Sequence, residues 1–308
     1  PDPATGRFLP SVVVDGANTD AFSAGLVIQT SGAEVRGLAI VRFGGNGVEI
    51  SGSSETAHDN VVANNFIGVD PGRTSCTSSG SSTGNGWGVA VVGAVHNEVV
   101  GNVVVCNQYT GVDLTAGAAD NTVATNTIGL RAAADGSGVD FGNGGDGVRI
   151  TSAGSDANVV RDNVVGFNGR GITLALGARD NRIEENEVGY NHGDGIRLGD
   201  LQDPGSGVSG TRITGNAVGL LGGRSTFPNV RAGMARNGGR GILIAESAGN
   251  VVGGAAGERN VVSANEGVGV EINGPFATQN RVLGNYIGTT HEGTGGAFTG
   301  NLSGGVLC

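Results

Sequence analysis

The stretch NVVRDNVVGFNGRGITLALGARD, residues 158–180, is followed directly by a second stretch of the same design, NRIEENEVGYNHGDGIRL, residues 181–198. Each begins with Asn, continues with alternating apolar residues, and carries Asn at every fifth position of its first half. Each then has a Gly-apolar-x-apolar segment, GITL at Gly171 and GIRL at Gly195. Short alternating runs rich in β-branched residues, separated by Gly and Asn, predict short strands joined by turns.

The same two-part unit recurs along most of the chain. Its Asn-led half begins at positions 60, 97, 121, 158, 181, 211, 250 and 280, with Thr in place of Asn at 211. The shortest intervals are 23 and 24 residues. Because one such unit cannot bury its apolar side alone, the units must stack on one another. The sequence therefore predicts an all-β fold, a single-stranded right-handed parallel β-helix of about nine coils.

The repeated asparagines have a structural interpretation. Stacked coils would place equivalent asparagines above one another, where their amides can bond between coils and to the turn backbone. We expect an asparagine ladder that holds the turns, and we favour this over a sugar-binding role for the same residues.

Four long insertions interrupt the repeat. Three follow the Ile-Gly or Val-Gly element, at residues 69–87, 130–146 and 220–240, and a fourth begins after Gly288. We expect them to leave the rod at one corner and to cluster along one edge. A shorter insertion, residues 200–210, leaves elsewhere, directly after GIRL.

Composition excludes several classes of protein. The chain has 61 glycines in 308 residues, which argues against a helical fold because each interior glycine costs roughly 1 kcal/mol in a helix. All 18 basic residues are arginine, so mechanisms that need a lysine are excluded. The formal net charge of -10 argues against nucleic acid as the main partner. No apolar run is long enough to span a membrane.

Three cysteines leave the redox setting open. Cys76 and Cys106 are candidates for a disulfide, which would leave Cys308 unpaired. Such a pair is compatible with an extracellular or cell-surface location.

We expect residues 1–308 to form one β-helix domain that is part of a larger chain or assembly. The chain begins and ends in repeat-like sequence, and neither terminus has a helical cap. Open coil ends expose unpaired strands, so we also expect a neighbouring part or a second copy to cover them. End-to-end self-association is the form in which a second copy would do so.

Two phrases carry a resemblance to a known group of proteins. IGVD from Ile67 and GNGWGV from Gly84 match the phrase that recurs in β-helix repeat proteins of the bacterial cell surface. The chain resembles these proteins, and through them the pectate-lyase superfamily, over nearly its whole length. The resemblance implies the fold, while relatives of this fold include polysaccharide lyases, hydrolases, C5-epimerases, adhesins and phage receptor-binding spikes.

The best catalytic candidates are Tyr190, His192 and Asp194 in the segment YNHGD. A tyrosine, an imidazole and a carboxylate can together remove a proton next to a sugar carboxylate. The segment loosely resembles a motif of mannuronan C5-epimerases but lacks their Asp-Pro before the histidine. A competing interpretation aligns the residues that precede the Gly-led strands into a salt-bridge ladder, with Asp194 paired to Arg170 and also to Arg240.

A second column, the outward positions of the Gly-led strands, supplies candidate substrate-binding residues. It contains Asp113, Arg149 and Arg197, and Asp200 follows closely. Mixed carboxylates and guanidinium groups on a flat strand face can grip a glycan, although an ordinary solvated face explains them as well. Asp113 and Arg149 would lie one coil apart.

Metal sites are weakly indicated. Asp135, Asp140 and Asp146 have a spacing compatible with calcium, but the pattern of a twelve-residue calcium loop is missing. The four histidines are too scattered for a transition-metal site. We expect no cofactor, with calcium as the alternative.

We therefore expect an extracellular or surface β-helix module with a structural, adhesive or glycan-contacting role through loops on one edge. The alternative is a polysaccharide-active enzyme, a uronate lyase, C5-epimerase or glycoside hydrolase that uses the region of His192. Its partner would be a polysaccharide or a cell-surface glycan.

Overall fold

The computed structural model describes residues 10–78, 81–132, 138–203, 207–221, 233–295 and 299–308. In these residues the chain winds as a right-handed parallel β-helix in which each complete coil contributes one strand to each of three sheets. The prediction of the fold is confirmed, including its nine or so coils, since the three sheets hold ten, ten and nine strands.

The three sheets, called A, B and C here, run along the rod, and every strand pair within them is parallel. Sheet A contains Val12–Asp15, Leu38–Val41, Phe66–Ile67, Val103–Val104, Thr127–Ile128, Val164–Gly166, Glu187–Gly189, Ala217–Val218, Val261–Val262 and Tyr286–Ile287. Sheet B contains Leu26–Ile28, Asn46–Ser51, Trp87–Val92, Val112–Thr115, Asp146–Thr151, Arg170–Ala175, Ile196–Leu198, Ile242–Ala245, Val270–Asn273 and Val306–Leu307. Sheet C contains Glu34–Arg36, Val61–Ala63, Glu98–Val100, Thr122–Ala124, Val159–Arg161, Arg182–Glu184, Arg212–Thr214, Val251–Gly253 and Arg281–Leu283.

Apolar side chains from all three sheets fill the interior. In sheet B, Val148 is in register with Ile172, and Ile172 with Ile196, so that like side chains stack from coil to coil. All three are fully buried. Full burial of each such side chain is worth about 1.5–3 kcal/mol, which makes the inward columns the main source of stability.

Three asparagine ladders hold the turns, as the repeat predicts. In each ladder the Oδ1 of an asparagine accepts two hydrogen bonds from the equivalent asparagine of the preceding coil, one from its side-chain Nδ2 and one from its main-chain N–H. Between Asn163 and Asn186 these two bonds measure 2.9 Å and 3.0 Å. The three ladders, one in each corner, are Asn60, 97, 121, 158, 181, 250 and 280; Asn65, 102, 126, 163, 186, 216, 260 and 285; and Asn85, 107, 143, 168, 191, 237, 265 and 301.

The first ladder is interrupted at Thr211. Its hydroxyl is buried and has no hydrogen-bond partner among the described atoms. The main-chain N–H of Thr211 still donates to Asn250, but no side-chain bond continues from Asn181.

The long insertions leave the rod between sheets A and B, which confirms the predicted common corner. Three of them contain a two-stranded antiparallel hairpin: Thr77–Ser78 with Ser81–Ser82, Leu130–Ala132 with Gly138–Asp140, and Leu220–Leu221 with Gly233–Met234. The remaining regular element is a short 3-10 helix, Ala256–Glu258.

Two contacts fasten the first insertion. A disulfide joins Cys76 to Cys106, with 5.2 Å between the Cα atoms, and Cys308 is exposed and free. The guanidinium of Arg131, from the second insertion, donates to the carbonyls of Pro71 and Arg73 at 2.9 and 2.7 Å. Neighbouring insertions therefore support each other along the edge.

Candidate functional site

A groove of about 480 Å3 crosses the beginning of five successive sheet B strands, on the outside of the rod. Its wall is formed by Trp87, Tyr109, Thr110, Gly144, Gly145, Asp146, Arg149, Gly169, Arg170, His192 and Gly193. Turns of adjacent coils approach closely at its base: a Cβ atom on Gly144 would lie 2.2 Å from the carbonyl oxygen of Gln108. Only glycine fits there.

Two aromatic rings form one end of the groove. The ring centroids of Trp87 and Tyr109 lie 4.5 Å apart, with the planes tilted by 37°. Tyr109 is 44% exposed, so part of the pair faces solvent. Trp87 is the single tryptophan of the chain. Exposed aromatic faces beside polar groups suit a ligand with both apolar and polar edges.

Arg149 is held rigidly in the middle of the groove. Its Nε and Nη2 donate to the two carboxylate oxygens of Asp113 at 2.8 and 2.7 Å, a bidentate ion pair across one coil step. This hydrogen bonding raises the pKa of Arg149. The predicted adjacency of Asp113 and Arg149 is confirmed.

Asp146 is a buried carboxyl with a weak set of partners. It is 8% exposed, and its Oδ1 accepts a hydrogen bond of 3.0 Å from the hydroxyl of Thr173. The nearest guanidinium nitrogen of Arg170 is 3.6 Å away. Burial raises the pKa of Asp146, while Arg170, Thr173 and Arg149 pull that pKa the other way. A carboxyl in this state can bind a proton within reach of a ligand.

His192 lies on the groove wall at the opposite end from the aromatic pair. Its Nδ1 is 3.1 Å from the carbonyl oxygen of Asn168, which leaves Nε2 on the far side of the ring. His192 therefore joins the groove, as the catalytic hypothesis for this histidine requires.

Tyr190 and Asp194, the other two candidate catalytic residues, do not line the groove. Tyr190 stacks on Phe167, with 4.9 Å between centroids and 9° between planes. The Oδ1 of Asp194 accepts the main-chain N–H of Arg240 at 2.8 Å and lies 3.7 Å from its Nη1. The structure thus separates His192 from these two partners.

The predicted salt-bridge ladder is present as two ion pairs that are not connected to each other. Asp146 contacts Arg170, and Asp194 contacts Arg240. The described ion pairs do not include the predicted one between Asp194 and Arg170; Asp194 has Arg197 as its second partner, at 3.9 Å. Arg240 continues the series to Glu271, at 2.9 Å.

Arg197 and Asp200, two of the candidate substrate-binding residues, bind each other. The Nη2 of Arg197 is 2.8 Å from Asp200, and its Nε donates to the carbonyl of Gly199 at 3.0 Å. Neither residue lines the groove.

The calcium candidates are not assembled in the described residues. Asp135 lies outside them. Asp140 accepts the main-chain N–H of Gly142 at 2.9 Å, and Asp146 takes part in the groove instead. Within the described ranges no three His, Cys, Asp or Glu side chains lie close enough to hold a metal ion.

Sequence reasoning missed Tyr109, gave Trp87 no functional role and placed Arg170 only in the salt-bridge ladder. The available signal was the position of the tryptophan, which occupies the residue before a Gly-led strand where the next five units have polar or charged residues.

The family model of the periplasmic copper-binding protein NosD matches residues 11–191 and, in a second overlapping match, residues 130–304. The chain belongs to the NosD family. No curated protein sequence matches this NosD-family chain.

Solved structures with the same fold support the architecture alone. The Dettilon tailspike protein superimposes with a TM-score of 0.54 at 16% identity, over 97% of this chain and 60% of the tailspike. A mutant of the periplasmic alginate epimerase AlgG gives a TM-score of 0.50 at 15% identity, over 85% of this chain and 50% of the epimerase. The NosD-family chain therefore spans only half to three fifths of these proteins.

Copper, the metal in the family name, does not fit the described side chains. Copper sites in proteins use Cys, His and Met ligands. Cys76 and Cys106 are joined in a disulfide, and no histidine lies in a cluster of three or more His, Cys, Asp or Glu side chains within the described ranges. We derive no chemistry through copper. Among the same residues, no helix has the length and apolar character needed to cross a bilayer.

Proposed function

We propose that this chain is a glycan-contacting β-helix module that acts outside the cytoplasm and binds a polysaccharide or cell-surface glycan in the groove on sheet B. The Trp87–Tyr109 pair carries this proposal. A pyranose ring presents C–H bonds on its faces and hydroxyl groups at its edges. An exposed aromatic pair can cover such a face while Arg149 and Arg170 bind the edges.

The shape and setting of the groove support the same function. It extends over five coils, so it can hold several sugar units in a row. The Cys76–Cys106 disulfide suits an oxidising compartment. The protein after which the family is named is periplasmic, and the periplasm is such a compartment. The tailspike and the alginate epimerase share the fold and add no more than that.

A glycan array followed by calorimetry tests the proposal. Trp87→Ala should weaken binding of the retained glycan at least tenfold, about 1.4 kcal/mol, because the stacking surface is lost. Phe276→Ala is the matched control, since it removes an exposed aromatic ring outside the groove. Equal affinity of Trp87→Ala and wild type, or no retained glycan at all, would contradict the proposal.

A second candidate is a polysaccharide-active enzyme. The raised pKa of Asp146, next to Arg170 and on the same wall as His192, favours it. In a uronate lyase, a base removes the C5 proton while a cation neutralises the sugar carboxylate. The C4–O bond then breaks, a C4–C5 double bond forms, and the leaving oxygen takes up a proton.

In this chain His192 would serve as the base and protonated Asp146 as the acid, in place of the predicted set with Tyr190 and Asp194. The test is incubation with uronate polymers and detection of the unsaturated product by its ultraviolet absorbance. His192→Ala should abolish product formation. Turnover that survives in His192→Ala excludes this assignment of the base, and wild type without turnover leaves the binding module as the function.

A further inference from the structure

Arg170 is an exposed cation in the groove, and protonation of its ion-pair partner, Asp146, would neutralise that partner. Arg170 has 43% of its side chain exposed, and in the part of the chain that the structure describes its guanidinium has a single ion-pair partner, Asp146, at 3.6 Å. We infer that the groove takes a glycan bearing carboxylate groups, that a sugar carboxylate binds to Arg170, and that Asp146 takes up a proton as the glycan binds. This inference rests on the proposed glycan binding and specifies its ligand class and pH control.

Arg170 is the better anion site of the two groove arginines. Arg149 has two of its three guanidinium nitrogens committed to Asp113 at 2.8 and 2.7 Å. The contact from Arg170 to Asp146 is longer than a hydrogen bond, so the donor fork of Arg170 remains open to a ligand. A planar guanidinium matches a carboxylate through two parallel hydrogen bonds.

The carboxylates of Asp113 and Asp146 oppose the binding of an anion until one of them is protonated. Arg149 faces Asp146 from its own strand, Asp113 from the strand below, and Arg170 from the strand above, while His192 and Tyr109 complete the wall. With both carboxylates ionised, their two negative charges cancel the two positive charges of the arginines. Protonation of Asp146 leaves a net charge of one positive unit in the groove, which an anionic ligand then neutralises.

The geometry of Asp146 allows it to hold this proton usefully. The Thr173 hydroxyl donates to Oδ1, so Oδ2 is the oxygen on which a proton can reside. From there the O–H can donate to the ligand carboxylate held by Arg170. Burial, which raises the pKa of Asp146, favours the protonated form in advance.

Asp194 provides a matched control two coils further along. It precedes a Gly-led strand as Asp146 does, but it accepts a main-chain N–H at 2.8 Å. Its partner Arg240 is bound to Glu271 at 2.9 Å. This aspartate and its arginine are therefore closed to an added anion.

The experiment is calorimetry on the full chain with three oligosaccharides of equal length: an oligogalacturonate, a sulfated glucan and an unmodified neutral glucan. Between about pH 4 and pH 8, affinity for the oligogalacturonate should rise as pH falls, approaching tenfold per pH unit in the steepest range. Affinity for the neutral glucan should stay constant. The sulfated glucan keeps its charge over this range, so the same slope with it assigns the titration to the protein; binding of the sulfated glucan alone would overturn the carboxylate assignment.

Three variants locate the proton. Asp146→Asn imitates the protonated carboxyl and should hold the charged-glycan affinity at its low-pH level, without a slope. Asp194→Asn and His192→Gln should keep the slope. Arg170→Gln should lower affinity for the charged glycans at least tenfold and affect the neutral glucan far less, because the amide can still bond to hydroxyl groups. A circular dichroism spectrum equal to that of wild type verifies that the variant is folded.

Among the variants, a slope that survives in Asp146→Asn, or one that disappears in His192→Gln, overturns the inference. Equal affinities of wild type for charged and neutral glycans at every pH would also overturn it, and would leave the proposed function standing. Wild type that binds none of the three glycans at any pH would overturn the proposed function itself.

Discussion

Asp146 and Asp194 occupy the same position in two repeats, directly before a Gly-led strand, and both are buried, at 8% and 5% exposure. Their surroundings differ. Asp194 receives the main-chain N–H of Arg240 and lies within 4 Å of two guanidinium groups, those of Arg240 and Arg197. Asp146 receives one neutral hydroxyl from Thr173 and has Arg170 at 3.6 Å.

The difference shows that the repeat position alone does not decide what a side chain does. At Asp194 the next coil carries an insertion and returns with Gly239 and Arg240, whose backbone meets the carboxylate. At Asp146 the next coil has no insertion and returns with the exposed Arg170. One aspartate is therefore structural, while the other remains open to the groove.

The largest expected effect comes from removing the cation of the closed site. Arg240→Ala leaves the buried carboxylates of Asp194 and Glu271 without this partner, and should lower the free energy of unfolding by about 3 kcal/mol at neutral pH. Arg170→Ala is the control at the open site and should cost less than about 1 kcal/mol, because Arg170 is exposed. Urea denaturation of both variants measures the two losses in the free energy of unfolding. Equal losses would show that the closed and open sites do not differ.

The aspartates themselves should respond with opposite signs at neutral pH. Asp194→Asn weakens a charge-assisted hydrogen bond and two ion pairs and should cost about 1–2 kcal/mol. Asp146→Asn removes a carboxylate whose ionised form is penalised by burial, so thermal melting should occur at a higher temperature than in wild type. Melting temperatures that fall in both variants would show that the two sites are alike.

The pH dependence sharpens the comparison further. Because burial raises the pKa of Asp146 above 3.8, the folded state holds its proton more tightly than the unfolded state does. The resulting stability is complete below pH 3.8 and is lost as pH rises through the raised pKa. The melting temperature of wild type should therefore decline relative to Asp146→Asn over this window. A constant difference between the two proteins across the pH series would refute the assignment.

The smallest effect is expected at His192, which lies on the wall between the two sites. Its ring has one hydrogen-bond contact, to the carbonyl of Asn168 at 3.1 Å. His192→Gln should change the free energy of unfolding by no more than about 0.5 kcal/mol, again by urea denaturation. A larger loss would mean that His192 supports the groove structurally.

Much of the architecture could be predicted because stacking forces equivalent residues into columns. The spacing of the repeat placed Asp113 beside Arg149, and the register confirms it. The same column placed Arg240 beside Asp194, as observed, but it offered Arg170 as well. The choice between the two arginines could not be obtained in this way. It depends on how the chain returns from the insertion before Arg240, and insertion geometry does not follow the repeat.

The placement of Tyr190 was within reach of the same reasoning. Phe167 and Tyr190 each follow a Val-Gly pair at the end of a sheet A strand, so they belong to one column and stack. Tyr109 was harder to place, because its neighbour Trp87 follows a long insertion whose length hides the alignment. Columns can be predicted from the repeat, whereas contacts across insertions need coordinates.

Thr211 has a mechanical consequence for the whole rod. Each ladder is a continuous row of amide hydrogen bonds along the rod. Thr211 interrupts one of the three rows, and its own buried hydroxyl lacks a hydrogen-bond partner among the described atoms. The interruption lies next to the insertion at residues 200–210, where Ser209 forms isolated bridges to Arg179 and Ala248. Under tension, we expect the coils to separate first at Thr211, which divides the rod into two segments whose asparagine ladders remain hydrogen-bonded.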